Sequence, residues 1–502
     1  MSTRPGTIPI VGARPNQPQA KRGPERVARG RRRNEGRADI TLANINLLYI
    51  NNQSTVDHEV FAPLGPLYLI ASLERADYVV DFADHQLLPM VHPDRDAFDL
   101  DDAIWWLGDM AEVVGLSCMA NLLPFTLMLA ERIKRHHPSK TILLGGVGPF
   151  GVESLILERF ASIAAVGRGE GEATIVEAMD ALRAGRPLDG IPGLFARAPN
   201  GTVGMGGERP RLAPADIPPP AYHHLDMARY HSVNVITNRG CPYPCSFCSV
   251  APIWNRRVSS RPVEEIVAEI RMLREQFGVS KILFQDEFFY TGEKKMLAFC
   301  DALDEAELDI RWKCFGRANL VTERAMRRMA ESGCDEIRYG IESASDRVLE
   351  RVTKKFDFGQ AMTAVGTSLG IFPTVEAFFI WGFPFEDMSD FLQTAVHMDR
   401  FRRMGVNVLP SLLSMLPQTD IYKDYLAGCY DGRLSFHRDL LPIYVVTGHE
   451  VLASDGNVVP DRYAPIYDLV EAHPDIFPGF YLYDAEANVR PKQAVLKQMG
   501  FH

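Results

Sequence analysis

Three cysteines fall within eight residues of one another, Cys241, Cys245 and Cys248, in the run NRGCPYPCSFCSV. Three thiolates this close cannot pair off without leaving one over, but they can share one metal centre. A cubane iron–sulfur cluster has four irons, so three cysteines leave one iron without a protein ligand. An open metal position is a place where chemistry can occur. A tetrahedral zinc site would need a fourth Cys or His, and the nearest is His231, upstream in the apolar run HSVNVIT. A disulfide fits poorly with a long chain that carries no secretory signal. The other five cysteines (Cys118, Cys300, Cys314, Cys334 and Cys429) stand singly, mostly in apolar runs. They read as small buried residues of a reduced cytoplasm.

Something must hold those thiolates in place, and the chain has enough length to do it. At 502 residues, two or three domains are expected. A content of 46% hydrophobic and 24% charged residues marks a globular chain. No apolar run reaches the ~18 residues of a membrane span, and the net charge of -10 argues against a general nucleic-acid binder.

Residues 1–38 are rich in Arg, Pro and Gly and read as a disordered basic tail. From Ile40, short apolar runs alternate with amphipathic ones: INLLYI, YVVDFADH, EVVGLSC, TILLGGVG and SIAAVGRG as strands, with helices between. Such runs predict a parallel sheet covered on both faces, an α/β Rossmann-like domain over 39–190. Its ligand should lie beyond the carboxyl ends of the strands, where Ser117, Gly145, Gly146, Gly169 and Glu170 fall. Residues 191–228 read as a Pro-rich connector that includes a hairpin with an Asn-Gly turn. A second alternating block, 229–417, offers six strands: VNVIT, KILFQDE, IRWKCFGR, EIRYGIES, TVEAFFIWG and VNVLPSLLSM. Six βα units predict an open partial barrel with its site at the strand carboxyl ends. The cysteine loop follows the first strand, Asp286 and Glu287 end the second, and Arg317 ends the third. Gly340, Glu342 and Ser343 end the fourth and Gly382-Phe383-Pro384 the fifth. Residues 418–502, with Tyr422, Tyr425, Tyr430, Tyr444, Phe477, Phe480, Tyr481 and Tyr483, read as a small α+β extension that caps the barrel, either as ordinary core or as a lid.

The cysteine spacing, its loop and the barrel pattern resemble the radical S-adenosylmethionine (SAM) enzymes. That resemblance implies a 4Fe–4S cluster on Cys241, Cys245 and Cys248, with the open iron chelating the amino and carboxylate groups of SAM. It further implies that Phe247 and Gly382 lie near the adenine and that Asp286 and Glu287 meet the amino group. Arg317 would suit the carboxylate, and Glu342 and Ser343 the ribose and sulfonium side. The strings APLGPLYLIASL, GLS, LLGGVGP and GRGEGEAT resemble the cobalamin-binding domain fused to many such enzymes. One departure stands out. The Asp-x-His-x-x-Gly signature that supplies a histidine to cobalt is absent, Asp84–His85 being the nearest string without its glycine.

The resemblance implies a cobalamin-dependent radical SAM enzyme, foremost a methyltransferase acting on an unactivated carbon of a small-molecule or peptide substrate. An electron donor such as flavodoxin or ferredoxin would serve it. A cyclase or rearrangement enzyme of the anaerobic magnesium-protoporphyrin monomethyl ester cyclase type is the alternative. A methylthiotransferase fits less well, because the chain has neither a second cysteine triad nor a basic RNA-binding module. A non-catalytic iron–sulfur sensor would need decayed SAM contacts, which the sequence does not show.

Overall fold

The structure, a computed structural model, describes residues 37–45, 60–230, 232–440 and 463–501. Nearly all of the basic tail, His231, Tyr444 and the NLLYI part of the first expected strand lie outside the described residues.

Two sheets organise the chain. The first contains strands β1 (Ile40–Ile45), β2 (Val80–Asp84), β3 (Val113–Cys118), β4 (Thr141–Gly145), β5 (Ala165–Gly167), β6 (Leu194–Arg197) and β7 (Val203–Met205). Their spatial order is 2-1-3-4-5-6-7, with the first five parallel. This is a doubly wound sheet whose order reverses between β1 and β3, where the strand ends part to leave a crevice. Helices Leu64–Arg75 and Glu172–Arg183 cover one stretch of it.

The described part of the first strand is ITLANI, which starts five residues before INLLYI: Ile40 registers with both Val80 and Val113 and all six residues are buried. The hairpin of the connector forms and also joins the sheet, β6 pairing antiparallel with β5 and β7 with β6. Strand β5 has only three residues, and the hairpin covers an edge that would otherwise offer unpaired backbone groups.

The second sheet holds β8 (Val233–Val235), β11 (Lys281–Phe284), β12 (Arg311–Gly316), β13 (Cys334–Glu342), β14 (Thr374–Trp381) and β15 (Asn407–Leu412). Between β8 and β11 lies a small ribbon, β9 (Asn238–Arg239) with β10 (Ser259–Ser260). All six long-sheet strands run parallel in order 15-14-13-12-11-8, and β8 does not meet β15, so the barrel is open. Alternation along β14 shows which face does what. Val375, Ala377, Phe379 and Trp381 are buried against the helices, whereas Glu376, Phe378 and Ile380 face the lumen half-exposed.

The C-terminal residues brace both sheets. Lys492 Nζ donates to Glu386 Oε2 at 2.7 Å with both side chains buried, and Asn488 Nδ2 donates to the Gly382 carbonyl at 2.9 Å. On the other side Arg159 pairs with Asp475 and Tyr463 reaches Asp96 at 3.1 Å. Strands β16 (Leu434–Ser435) and β17 (Leu482–Tyr483) form a two-stranded pair in this region.

Candidate active site

The cysteine loop is shaped by its backbone before its sulfurs matter. Gly240, just ahead of Cys241, has φ +95°, and a Cβ there would sit 2.2 Å from the Arg257 carbonyl oxygen. Only glycine fits. Replacing it with alanine should displace the loop and cut cluster loading severalfold, read as iron per chain and as the visible cluster absorbance.

Below the loop lie two carboxylates. Asp286 Oδ1 accepts from Thr237 N at 2.9 Å, from Thr237 Oγ1 at 2.7 Å and from Asn238 N. Glu287 accepts from Gly240 N at 3.2 Å and from the Trp254 indole at 3.0 Å. Both therefore brace the chain that carries Cys241. Burial pushes the Asp286 carboxyl up to about 7 against the hydrogen bonds that would hold it down. Its unfolded value is about 3.9. A raised carboxyl favours the fold while protonated, so its contribution is full below about pH 4 and is lost as pH rises towards 7. Denaturant unfolding at about pH 5 and about pH 8 should show Asp286→Asn gaining on wild type at the higher pH, by at most about 3 kcal/mol. An equal gap at both pH values would contradict this account.

The three thiols are free. Burial, followed by mutual repulsion, raises those of Cys241 and Cys248, the latter to about 11. A set that resists ionisation alone is one that a cationic centre would stabilise. Three free thiols on one short loop can cap three corners of a cubane and leave its fourth iron open.

Beside the triad opens a cavity of about 520 Å³ lined by Cys241, Phe247, Asp286, Glu287, Arg317 and Glu342 among others. Two polar atoms at its wall have no partner among the described residues, Asp286 Oδ2 and Arg317 Nε. One is an acceptor and the other a donor. A ligand carrying both an ammonium and a carboxylate, as SAM does, would satisfy the pair. Arg317 stacks on Tyr243 at 3.5 Å and donates through Nη2 to the Lys354 carbonyl, which fixes its plane. Glu342 ends β13 at φ +73° and forms an ion pair with Lys354 at 2.6 Å, both side chains buried. A Cβ at Gly340 would lie 2.6 Å from Glu342 Oε1, so a larger residue there would have to push that carboxylate aside.

Two expected contacts are not brought into this cavity. Ser343 is fully buried behind it, bonded to Thr394 at 3.0 Å, because the side chain after Glu342 turns to the helix layer. Gly382, at φ +86°, faces Leu412 and gives its backbone to Glu386 and Asn488; it acts through Phe383, whose ring meets Phe247 at 6.1 Å. The aromatic residues Tyr422, Tyr425, Tyr430 and Tyr483 form a core behind Phe247, and no described residue beyond Leu416 lines the cavity. The lid expectation is thus not met by these residues, which are core. Lys354 was not singled out from the sequence, where it stands in an ordinary Lys-Lys pair after a helix, with no periodicity to mark it.

A second space, a slot of about 280 Å³, lies at the carboxyl edge of the first sheet. Ser117, Gly145, Gly146, Gly169 and Glu170 all line it. Added Cβ atoms at Gly65, Gly145 and Gly169 would meet nothing within 4 Å, so these glycines leave room on the slot side. His85 is not among the lining residues; its ring stacks on Phe125 at 5.6 Å, and burial pushes it down to about 4, so it stays neutral. Asp84 is occupied by Asn44, Gln86 and Tyr230.

The slot is closed from the barrel side by Ile236, Arg239, Ile253, Trp254 and Glu287. Glu170 takes Arg239 at 3.0 Å and the Leu212 amide at 2.9 Å, tying the two halves together. Glu287 lines both spaces. The cysteine loop and the short helix after it are therefore the wall between them.

A cysteine-bearing open barrel joined through one wall to a doubly wound ligand domain defines an iron–sulfur enzyme with a second cofactor site. Residues 235–398 match the radical SAM superfamily model and residues 56–179 the B12 binding domain model. An uncharacterized methyltransferase, PH0819 of Pyrococcus horikoshii, is 32% identical over 338 residues, 65% of this chain and 71% of that protein. The anaerobic magnesium-protoporphyrin IX monomethyl ester cyclase of Rubrivivax gelatinosus is 27% identical over 252 residues, 48% of this chain and 45% of its own. The cobalamin-dependent SAM radical enzyme OxsB, solved with aqua-cobalamin and SAM, shares the fold at TM-score 0.63 and 17% identity, over 92% of this chain and 66% of that one. The chain belongs to the radical SAM superfamily and carries a B12-binding domain. It is an enzyme whose cofactors are a 4Fe–4S cluster, SAM and cobalamin, and the donor sets described above fit them. No helix among the described residues is long and apolar enough to cross a membrane.

Proposed function

We propose that the protein transfers a methyl group to an unactivated carbon of a small-molecule or peptide substrate. The observation that carries this reading is the shared wall: Glu287 lines both the space beside Cys241 and the slot under the B12-binding domain. A substrate held there would be within reach of both cofactors. When bound, the cluster supplies the electron that splits SAM to methionine and a 5′-deoxyadenosyl radical, and cobalamin supplies a methyl carrier.

The chain's own residues do the rest. Cys241, Cys245 and Cys248 ligate the cluster. Asp286 takes the ammonium of SAM through its free Oδ2, and Arg317 presents Nε to the carboxylate. Phe247, backed by Phe383, gives the adenine an apolar face. Lys354 and Glu342 place opposite charges at the same wall. Phe315, Phe378 and Leu412 keep the lumen apolar, which excludes water from a radical that would otherwise be quenched. The slot glycines and Ser117 would admit the nucleotide end of cobalamin, and no histidine is among the slot's described lining residues. An electron donor such as flavodoxin or ferredoxin and a reducing cytoplasm would complete the setting.

The domains we propose are a basic tail over 1–38, the cobalamin-binding domain over 39–190, whose sheet also takes in the hairpin β6–β7 at the start of the connector over 191–228, the barrel over 229–417 and a C-terminal brace over 418–502. A second reading, oxidative cyclisation without methyl transfer, rests on the similarity to the cyclase of Rubrivivax gelatinosus. Product analysis separates them. With methyl-labelled SAM and a candidate substrate, methyl transfer yields S-adenosylhomocysteine together with 5′-deoxyadenosine, and label in the product. Deoxyadenosine with no S-adenosylhomocysteine would overturn the methyltransferase reading in favour of the cyclase one.

A further inference from the structure

Outside both cofactor spaces, one group of side chains has the geometry of a metal site. Glu74 lies in the last turn of helix Leu64–Arg75, and His223 and His224 share a single 3-10 turn of the connector. The ligand atoms of all three lie within 4.8 Å of one another. His223 Nε2 stands 3.1 Å from Glu74 Oε2, and His224 Nε2 stands 2.8 Å from Glu74 Oε1. Bonds of about 2.0–2.2 Å around a tetrahedral ion require ligands about 3.3 Å apart. The two histidine–carboxylate spacings need only tenths of an ångström of adjustment, and the two imidazoles lie within 4.8 Å of each other.

We propose that Glu74, His223 and His224 bind one divalent cation of the zinc class, with water as the fourth ligand. Two imidazole nitrogens and one carboxylate oxygen form a borderline donor set that suits zinc better than magnesium or calcium, which prefer all-oxygen shells. His224 is buried, so its ring is held by packing and loses little freedom on binding. His223 is exposed, which leaves an entry path and room for the water.

The placement gives the ion a task. Glu74 belongs to the helix whose first turns, Gly65, Pro66, Tyr68 and Leu69, line the slot of the B12-binding domain. The histidines belong to the connector leading to the barrel. The same seam is already stitched by Arg75 donating to the Asp216 carbonyl at 2.9 Å and by the Ala221 amide donating to the Leu67 carbonyl. A bound cation would lock helix to connector and hold the two halves at fixed spacing.

The test uses the full-length protein with its cluster reconstituted, so that the cysteine triad is occupied by iron. Zinc chloride is titrated anaerobically against a chromophoric chelator. Wild type should hold one zinc per chain. The double variant His223→Ala/His224→Ala and the isosteric Glu74→Gln should each bind at least about a hundredfold more weakly. Zinc should raise the melting temperature of wild type and leave that of Glu74→Gln unchanged. Cluster absorbance equal to wild type checks that the variants fold. Equal zinc uptake by wild type and Glu74→Gln, or none by either, would overturn the site and leave a hydrogen-bonded clamp.

Discussion

Replacing Cys245 with alanine is expected to remove the cluster and with it all SAM cleavage. Cys245 is the most buried of the triad and sits against the turn after helix Asp346–Arg351: its sulfur is 4.0 Å from the Thr353 carbonyl, and the neighbouring Ser246 amide donates to the Val352 carbonyl. Of the other cysteines, Cys118, Cys300, Cys314 and Cys334 are buried in the strands and helices, away from the loop in sequence. Two thiolates hold a cubane poorly, so iron per chain should fall from about four to well under one. The 5′-deoxyadenosine yield should fall by at least about 10³-fold, which corresponds to about 4 kcal/mol of lost transition-state stabilisation. The fold should survive, because removing one sulfur from a half-open loop costs about 1 kcal/mol. Far-ultraviolet circular dichroism and iron analysis on the same sample separate the two effects. Deoxyadenosine formation at wild-type rate by an iron-free variant would overturn the assignment of the triad.

Much of this was legible in the residues. All six barrel strands were visible as apolar runs, because a strand covered on its outer face and half-covered within can hardly avoid being apolar. The cysteine triad was visible because its spacing is short-range and its chemistry has few other uses. The slot glycines were visible because α/β sheets place ligands at strand carboxyl ends, whatever the ligand.

What stayed hidden depends on facing and on distance in sequence. Glu342 and Ser343 are adjacent, yet one meets the cavity and the other is sealed behind it; a single residue decides, and the positive φ of Glu342 is invisible in the string. The hairpin β6–β7 reads correctly as a hairpin, but nothing local says that it will protect the edge left by a three-residue strand. The C-terminal tyrosines suggested a lid because aromatics serve equally in cores and at binding surfaces. Only the tertiary arrangement, with Tyr430 and Tyr483 packed behind Phe247 and Phe383, separates the two uses. Asp286 and Arg317 both line the cavity, but the bonds each makes to the protein were not legible in the string. Each spends part of its bonding capacity on the protein and leaves one buried atom without a partner among the described residues.

Lys354 carries the second large prediction. Its ammonium and the Glu342 carboxylate are each about 8% exposed and 2.6 Å apart at the cavity wall. Removing one partner leaves the other charged and buried. Lys354→Met should therefore destabilise the protein by about 3–5 kcal/mol, enough to lower the melting temperature of a chain this size by several degrees. Removing both charges, in Glu342→Gln/Lys354→Met, should recover most of that loss, because a neutral pair of similar volume has no uncompensated ion. Stability alone would make the pair a structural brace. The position of Lys354, with its ammonium 5.8 Å from the Phe247 ring and the Cys245 sulfur against the neighbouring Thr353 carbonyl, argues for more. A cation there would favour the anionic end of SAM or its ribose oxygens through a charge-assisted hydrogen bond worth about 1.5–3 kcal/mol. The double variant, though stable, should then bind SAM about 10–100-fold more weakly, measured by equilibrium dialysis on cluster-loaded protein. A double variant that is stable and binds SAM as wild type does would confine Lys354 to holding the loop. A double variant as unstable as Lys354→Met would show that the two charges are not each other's partner.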